Sequence, residues 1–504
     1  MIKKNGLIIL ILSLIIIGCS NEDDLNEPSV VTVGDSNYRP EYHFTPEENW
    51  MNDPNGMVYY KGEYHLFFQY NPNANVWGPM HWGHAVSNDL VNWEELPVAL
   101  YPDNLGNIFS GSAVVDTHNT TGFKTGEEDV LVSIFTHQNP ETNEQYQSLA
   151  FSNDRGRTWD KYEGNPVLVN EEKTDFRDPK VIWHDDTQQW IMVVAAGQEI
   201  LFYSSPNLKE WKFLQSFGQG LGAHGGVWEC PDLFMVENEN GDEKWALLVS
   251  INPGGPNGGS GTQYFLGSFD GKTFQTNQTE TKWLDHGPDN YAGVTWSNEP
   301  NGRNLFIGWM SNWAYAQDVP TKAWRSAMTL PRRLKLSQDE DLIISRPAEE
   351  MNSVVTTDLV EFKSTGVEIQ DNPVVKGGSF KLKTKLDFSE VNTAQISYGN
   401  RTSGVTLQYD KGASEIFIDR SDAGFDFNNL NNNNIRVPYV LPENNELDLE
   451  IWVDKSSVEV FVNSGERVIT FLVFPGTPFD ELRIHSSKEG EFIKSLELNK
   501  VDSE

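Results

Sequence analysis

Between residues 40 and about 345 the chain alternates short apolar runs with clusters of Gly, Asn, Asp and Pro. MVYY and EYHLFFQY flank Lys61-Gly62, and VLVSIFTH, QQWIMVVAA, EILFYSS, KWALLVS, TQYFLGSF and NLFIGWM follow. Runs of this length bounded by turn residues predict β-strands, and no long segment of helical period interrupts them. A weak repeat runs through them. SNDLVNW ends at Trp93, SNDRGRTW at Trp159 and SSPNLKEW at Trp211, and SFDGKTF puts Phe274 in the same place. One strand-turn-strand unit recurring at intervals of roughly 50 to 65 residues predicts a radial array of about five four-stranded blades, with a flat sandwich as the alternative.

From near Ala348 the pattern changes. SFKLKTKLDF, AQISYGN, SGVTLQYD, SEIFIDR, ELDLEIWVD, SSVEVFVN, RVITFLVFP and EFIKSLELNK alternate in period two, the pattern of a β-sandwich with one solvated face per sheet. Its polar residues are expected to be such faces, so no chemistry is placed there. The predicted fold is all-β: a five-bladed β-propeller over 40–345 followed by a β-sandwich over 346–504.

Composition narrows the ligands. A chain of 504 residues, 38% hydrophobic and 12% aromatic, can bury a large core in more than one domain. Its 73 acidic against 38 basic residues give a net charge of -35, which repels phosphate backbones and anionic membranes but leaves neutral ligands such as sugars open. No nucleic-acid partner is expected.

The N-terminus reads as an export signal. Lys3 and Lys4 precede the apolar run Leu7 to Ile17, too short for an ordinary membrane span and fitting a signal peptide over 1–18. Ile16-Ile17-Gly18-Cys19 resembles the bacterial lipobox, which implies lipidation at Cys19; an incidental Cys is the alternative. The stretch SNEDDLNEPSV has no hydrophobic pattern and reads as an acidic tether within 19–39. It resembles the signal that routes Bacteroidetes lipoproteins to the cell surface, so the expected location is the outer membrane, facing outward, with a periplasm-facing anchor as the alternative. Cys230 is then the single remaining cysteine, and no internal disulfide is available.

Three carboxylates stand in unusual settings: Asp53 in WMNDPNG, Asp178 in DFRDPK and Glu229 in GGVWECPD. Pro54 and Pro179 bias the preceding aspartates toward extended backbone. Each Asp-Pro alone is an ordinary turn signal, and a salt bridge would explain Glu229. Together they suit glycosidic cleavage with retention, which needs one carboxylate to attack and another to protonate the leaving oxygen. A propeller brings distant inner strands to one axial funnel.

WMNDPNG, FFQYNP, FSGS, FRDP, WECPD and SSVEVFVNSGE resemble, in order, the signature segments of glycoside hydrolase family 32, the β-fructofuranosidases, across most of residues 40–504. The resemblance implies Asp53 as nucleophile, Glu229 as acid/base and Asp178 as transition-state stabiliser. It further implies Trp50, Asn52, Gln69, Trp77, Phe109, Ser110, Arg177 and Trp313 as substrate-binding residues, with no cofactor. Blade-core packing is the alternative for the aromatics and an Asx-turn for Asn52.

Other signals are discounted. His81, His84, His224 and His286 show no zinc spacing, and no metal site is expected. Asp285 and Asp289 in LDHGPDNYAGVTW shape the fifth blade or rim, and Cys230 serves local packing. Surface anchoring favours an endo-acting levanase cutting β-2,6-linked fructan, working beside surface glycan-binding and uptake proteins. The alternatives are an exo-acting levanase or inulinase, an invertase, or, in another class, a non-catalytic surface glycan-binding protein.

Overall fold

The computed structural model describes residues 35–169, 173–427 and 433–502. The signal peptide, Cys19 and most of the acidic tether lie outside them. Five sheets form the first part, and their innermost strands are Asn49–Tyr60, Asn107–Asp116, Phe176–His184, Val227–Glu237 and Tyr291–Thr295. Each is followed outward by antiparallel neighbours, giving blades 1 to 5. Trp324–Arg325 returns to pair in parallel with Asn49 and Trp50 on blade 1.

The strands are apolar because both faces of a blade are covered. Val58, Phe67 and Trp82 pack with Ala113 and Leu131 between blades 1 and 2. Val114 and Ile134 meet Val181 and Met192, Ile191 and Phe202 meet Leu247 and Phe265, and Leu248 and Tyr264 meet Phe306 and Leu334. Met51, Leu66 and Phe68 against Leu305 and Ile307 close the circle. Apolar burial at every blade contact holds the ring together.

The repeat has a physical basis. In each copy a side-chain oxygen caps the turn between the third and outer strands: Asp89 accepts from the N–H groups of Val91 and Asn92, Asp154 from Thr158, Asn207 from Lys209 and Glu210, and Asp270 from Lys272 and Thr273. The closing tryptophans Trp93, Trp159 and Trp211 donate to the carbonyls of Leu90, Gly156 and Leu208. Blade 5 carries a fifth copy that the sequence pattern missed. Ser337 donates to Asp339 there, but the turn ends in Leu342 rather than an aromatic.

The inner strands share one interruption. Their pairing with the second strand slips between Met51 and Pro54, Ile108 and Gly111, Arg177 and Lys180, Glu229 and Asp232, and Tyr291 and Val294. Such bulges re-aim side chains and tolerate residues that cannot pair, which explains Pro54, Pro179 and Pro231. At Gly111 a Cβ would lie 2.1 Å from the Ile134 carbonyl oxygen, so the FSGS strand needs glycine there. Asp178 corrects an expectation: its φ is 65°, left-handed rather than extended. The bulge, not the following proline, sets its backbone.

The last blade strand ends at Pro347, and Val355–Ser364 opens a sandwich of two six-stranded sheets around one apolar core. Strands such as Thr393–Gly399 and Gly404–Asp410 alternate buried and partly exposed positions. The expectation of merely solvated polar faces fails at the seam with the propeller, where Asp454, Glu459 and Arg420 are buried. His43 places Nδ1 2.8 Å from Asp454 and Nε2 2.9 Å from Glu459, so it donates from both nitrogens as an imidazolium. Arg332 pairs with Asp285 at 2.8 Å and Glu459 at 2.5 Å, and Arg420 with Asp289 at 2.8 Å. Asp285 and Asp289 thus bind the sandwich to blade 5.

Candidate active site

At the axial end of the inner strands lies a pocket of about 310 Å³. Asp53, Asp178 and Glu229 line it, from blades 1, 3 and 4, together with Asn52, Gln69, Trp77, Phe109, Ser110, Arg177 and Trp313. The bulges are what gather them. Asp53, Ser110 and Asp178 all fall within the shared interruption, and Glu229 stands at its edge.

Asp53 is held from two blades. Its Oδ1 accepts from Asn52 Nδ2 at 3.0 Å, and its Oδ2 from Ser110 Oγ at 2.9 Å. Burial raises its pKa, the charge of Glu229 adds to the rise, and the bonds from Asn52 and Ser110 oppose it. Trp50 is corrected in one respect: it is fully buried and does not line the pocket. Its Nε1 donates to Asn52 Oδ1 at 2.7 Å and its ring stacks beside Trp313, so it fixes two lining groups from behind. Asn52 therefore spends its amide on both neighbours rather than on a turn.

Glu229 is clamped. Arg177 donates Nε and Nη2 to its Oε1 at 3.1 and 3.0 Å, and the Tyr291 hydroxyl donates to its Oε2. Arg177 also donates Nη1 to Asp175 at 2.7 Å and lies 4.0 Å from Asp178. Burial opposes its charge, but Glu229 and Asp178 hold the guanidinium well above its ordinary pKa. The salt-bridge explanation of Glu229 is thus true of its geometry, yet the pair faces a pocket rather than a sealed core.

Asp178 accepts the Cys230 backbone N–H at Oδ2, 3.1 Å away, while its own N–H donates to Thr136 Oγ1. Burial pushes its carboxyl up to about 7; Arg177 pulls against that, and the charges of Glu229 and Asp53 add to it. Cys230 Sγ lies 3.6 Å from both Asp53 Oδ2 and Asp178 Oδ2, so those oxygens are at most twice that distance apart. Burial and then the Asp178 charge raise the thiol's pKa, keeping it protonated as a donor between two carboxylates. Cys230 therefore does more than pack. Asp178, raised by burial and by the charges of Glu229 and Asp53, holds a proton near neutrality beside the other two acids, as a site running acid and base steps requires.

Sequence reasoning missed Tyr291, Gln145 and Asp175. Tyr291 lies inside LDHGPDNYAGVTW, where the two aspartates drew attention; its place at the start of the fifth inner strand, level with the other bulges, was the available signal. The histidines sit apart. His84 Nε2 faces His65 Nδ1 at 3.0 Å, whereas His224 meets Gln198 and Gly218.

Comparisons with known proteins agree with this architecture. Residues 43–347 match the glycosyl hydrolases family 32 N-terminal domain, and 348–500 the family 32 C-terminal domain. A levanase of Bacillus subtilis is 48% identical over 480 residues, covering 92% of this chain and 70% of that one. The extracellular exo-inulinase inuE of Aspergillus niger is 38% identical, covering 90% and 92%. The crystal structure of exo-inulinase from Aspergillus awamori superposes with a TM-score of 0.86 at 36% identity, covering 93% and 99%. A carboxylate-lined propeller funnel, a sandwich and these matches together show that the chain belongs to glycoside hydrolase family 32 and is a β-fructosidase.

Proposed function

We propose that the protein removes terminal β-fructosyl units from a fructan, levan foremost, by a retaining double displacement. The observation that carries this reading is the single pocket in which Asp53 and Glu229 approach from different blades. Asp53 attacks the anomeric C2 as the C2–O bond breaks, and Glu229 gives its proton to the leaving oxygen. Glu229 then takes a proton from water, whose oxygen attacks C2 and frees Asp53. Asp178 binds fructose hydroxyls more strongly as positive charge develops on the ring. Arg177 and Tyr291 hold Glu229 in place, and a site that only bound glycan would not need a nucleophile and a proton donor together.

The small pocket and the relatives named levanase and exo-inulinase support release of single fructose units. Internal cleavage of β-2,6-linked levan is the second reading, favoured by an open rim that continues from the pocket over blades 2 and 3. Chromatography of early products from levan, inulin and sucrose tests both. Fructose alone from levan is expected; mixed oligosaccharides would transfer the assignment to the endo mode, and no product from any of the three would end it.

The lipobox-like residues support a lipid anchor at Cys19, and the acidic stretch after it supports an outward-facing place on the outer membrane. Cys19→Ala is expected to release the protein from the membrane fraction, and protease shaving of intact cells reports which side it faces.

A further inference from the structure

The inner strands of blades 3, 4 and 5 are tied to one another twice. On the pocket side of their bulges Arg177 donates to one oxygen of Glu229 and Tyr291 to the other. On the far side, where pairing resumes at Lys180, Asp232 and Val294, a second set repeats the same order of blades. Lys180 Nζ lies 3.0 Å from Asp232 Oδ1 and donates to the Thr295 carbonyl at 2.7 Å and to Thr295 Oγ1 at 3.2 Å. The Thr295 N–H donates to Asp232 Oδ2. Lys180 is 4% exposed and Asp232 is fully buried.

Between the two sets stand strained residues. Asp178, Cys230 and Ala292, one in each bulge, have φ of 65°, 45° and 55°, left-handed conformations that a side chain disfavours. Their N–H groups bond to side chains: Asp178 donates to Thr136 Oγ1, Cys230 to Asp178 Oδ2 and Ala292 to Ser250 Oγ. Such a bulge competes with a strand that slips by one residue into regular pairing, and a slip turns side chains to the opposite face. Glu229 would then leave the funnel.

Stability alone is a poor reason for this ion pair. Taking two charges out of water costs about as much as their attraction returns, and the best-attested use of a buried pair is to fix register. Asp232 is the third residue after Glu229, and Lys180 the third after Arg177, so the pair sits where register is set on both strands.

We propose that Lys180, Asp232 and Thr295 are positioning residues, a clamp that pins the bulge of blade 4 and so holds Glu229 where it can give its proton to the leaving oxygen. None of the three lines the pocket, so the clamp acts through the backbone of Glu229 rather than on the sugar. The inference rests on the role proposed above for Glu229.

The experiment measures kcat and KM for the full chain, Asp232→Asn and the double substitution Lys180→Met/Asp232→Leu, with melting temperature as the folding control and assays run well below it. Two substrates separate the steps. The glucosyl oxygen of sucrose needs the Glu229 proton in order to leave, whereas para-nitrophenolate leaves its β-fructofuranoside almost unaided. Both variants are expected to lose about 10²-fold in kcat/KM on sucrose, as a misplaced reacting group does, and about threefold on the nitrophenyl substrate. On the latter kcat and KM are expected to fall together, because Glu229 is still needed to activate water in the second step. Equal losses on the two substrates, activity on sucrose within about twofold of the unsubstituted protein's, or failure of both variants to fold overturns the clamp. Glu229→Ala keeps the two readings apart. It is expected to lose far more on sucrose than on the nitrophenyl substrate, and an equal loss removes Glu229 as proton donor whatever the clamp variants do.

Discussion

Acids cluster both at the seam and in the funnel, and desolvation acts on them alike while their partners do not. At the seam Asp285, Asp454 and Glu459 each face a cation, Arg332 or His43, and their carboxyls are held below the ordinary range although burial acts to raise them. In the funnel Asp178 shares Arg177 with Glu229 and Asp53 faces no cation of its own among the described residues, and both aspartates are raised. Desolvation is the leading influence in every case; the local cation decides the sign. The seam is thus built for stability and the funnel for reactivity, from the same residue types.

That contrast can be broken most strongly in the funnel. Asp53→Asn and Glu229→Gln are expected to lower kcat by about 10⁴-fold or more in steady-state assays. Each removes a charge from a crowded acid group, so the melting temperature is expected to hold or rise. A large loss of melting temperature would place these acids with the seam.

Arg332→Met makes the opposite cut. It leaves Asp285 and Glu459 buried without their guanidinium, a loss of about 3–5 kcal/mol in denaturant unfolding. Activity per folded molecule is expected to persist. If stability is unchanged, the seam is not what binds sandwich to propeller.

Ser110→Ala sharpens the comparison from inside the pocket. Asp53 must be ionised to attack, so the acid limb of kcat/KM is expected above the usual Asp range. Removing the Ser110 hydroxyl takes away a bond that favours the anion, which moves that limb to still higher pH and lowers kcat/KM by about tenfold at neutral pH. A limb that stays put assigns it to another group.

The smallest effect belongs to His43. Its pKa is raised from 6.5 to about 9: burial opposes the charge, but the hydrogen bonds its ring donates to Asp454 and Glu459 outweigh it. A raised histidine contributes stability that is complete below pH 6.5 and is lost as pH climbs through about 9. The depressed Asp285, Asp454 and Glu459 act inversely, contributing above their unfolded values and losing that contribution as pH falls through the folded ones. Melting temperature is expected to fall between pH 7 and 9.5, and His43→Gln to flatten that fall. An identical slope in both proteins removes His43 from the account.

Much of this was legible without coordinates. The capped turns before Trp93, Trp159 and Trp211 repeat because each blade needs the same sharp return, and local hydrogen bonds made them visible. The fifth copy escaped because Leu342 stands where an aromatic was sought. Asp178 was misjudged in backbone because a bulge depends on the partner strand, which a proline rule cannot see. Trp50 was identified near the site but not as a residue behind it, since its burial follows from Trp309 and Trp313, which reach it from far along the chain.

The sequence by itself determined the strands, their turns and the acids brought to each blade, because periodicity and turn chemistry act over a few residues. Turn chemistry by itself could not supply the physical difference between WMNDPNG and LDHGPDNYAG, each an aspartate beside Pro and Gly. Tertiary structure did that by setting Arg332 and Thr470, 47 and 185 residues away, against Asp285 and a pocket against Asp53. Whether a buried carboxylate is neutralised or left reactive depends on charges within a few ångströms in space, and the fold alone chooses those neighbours.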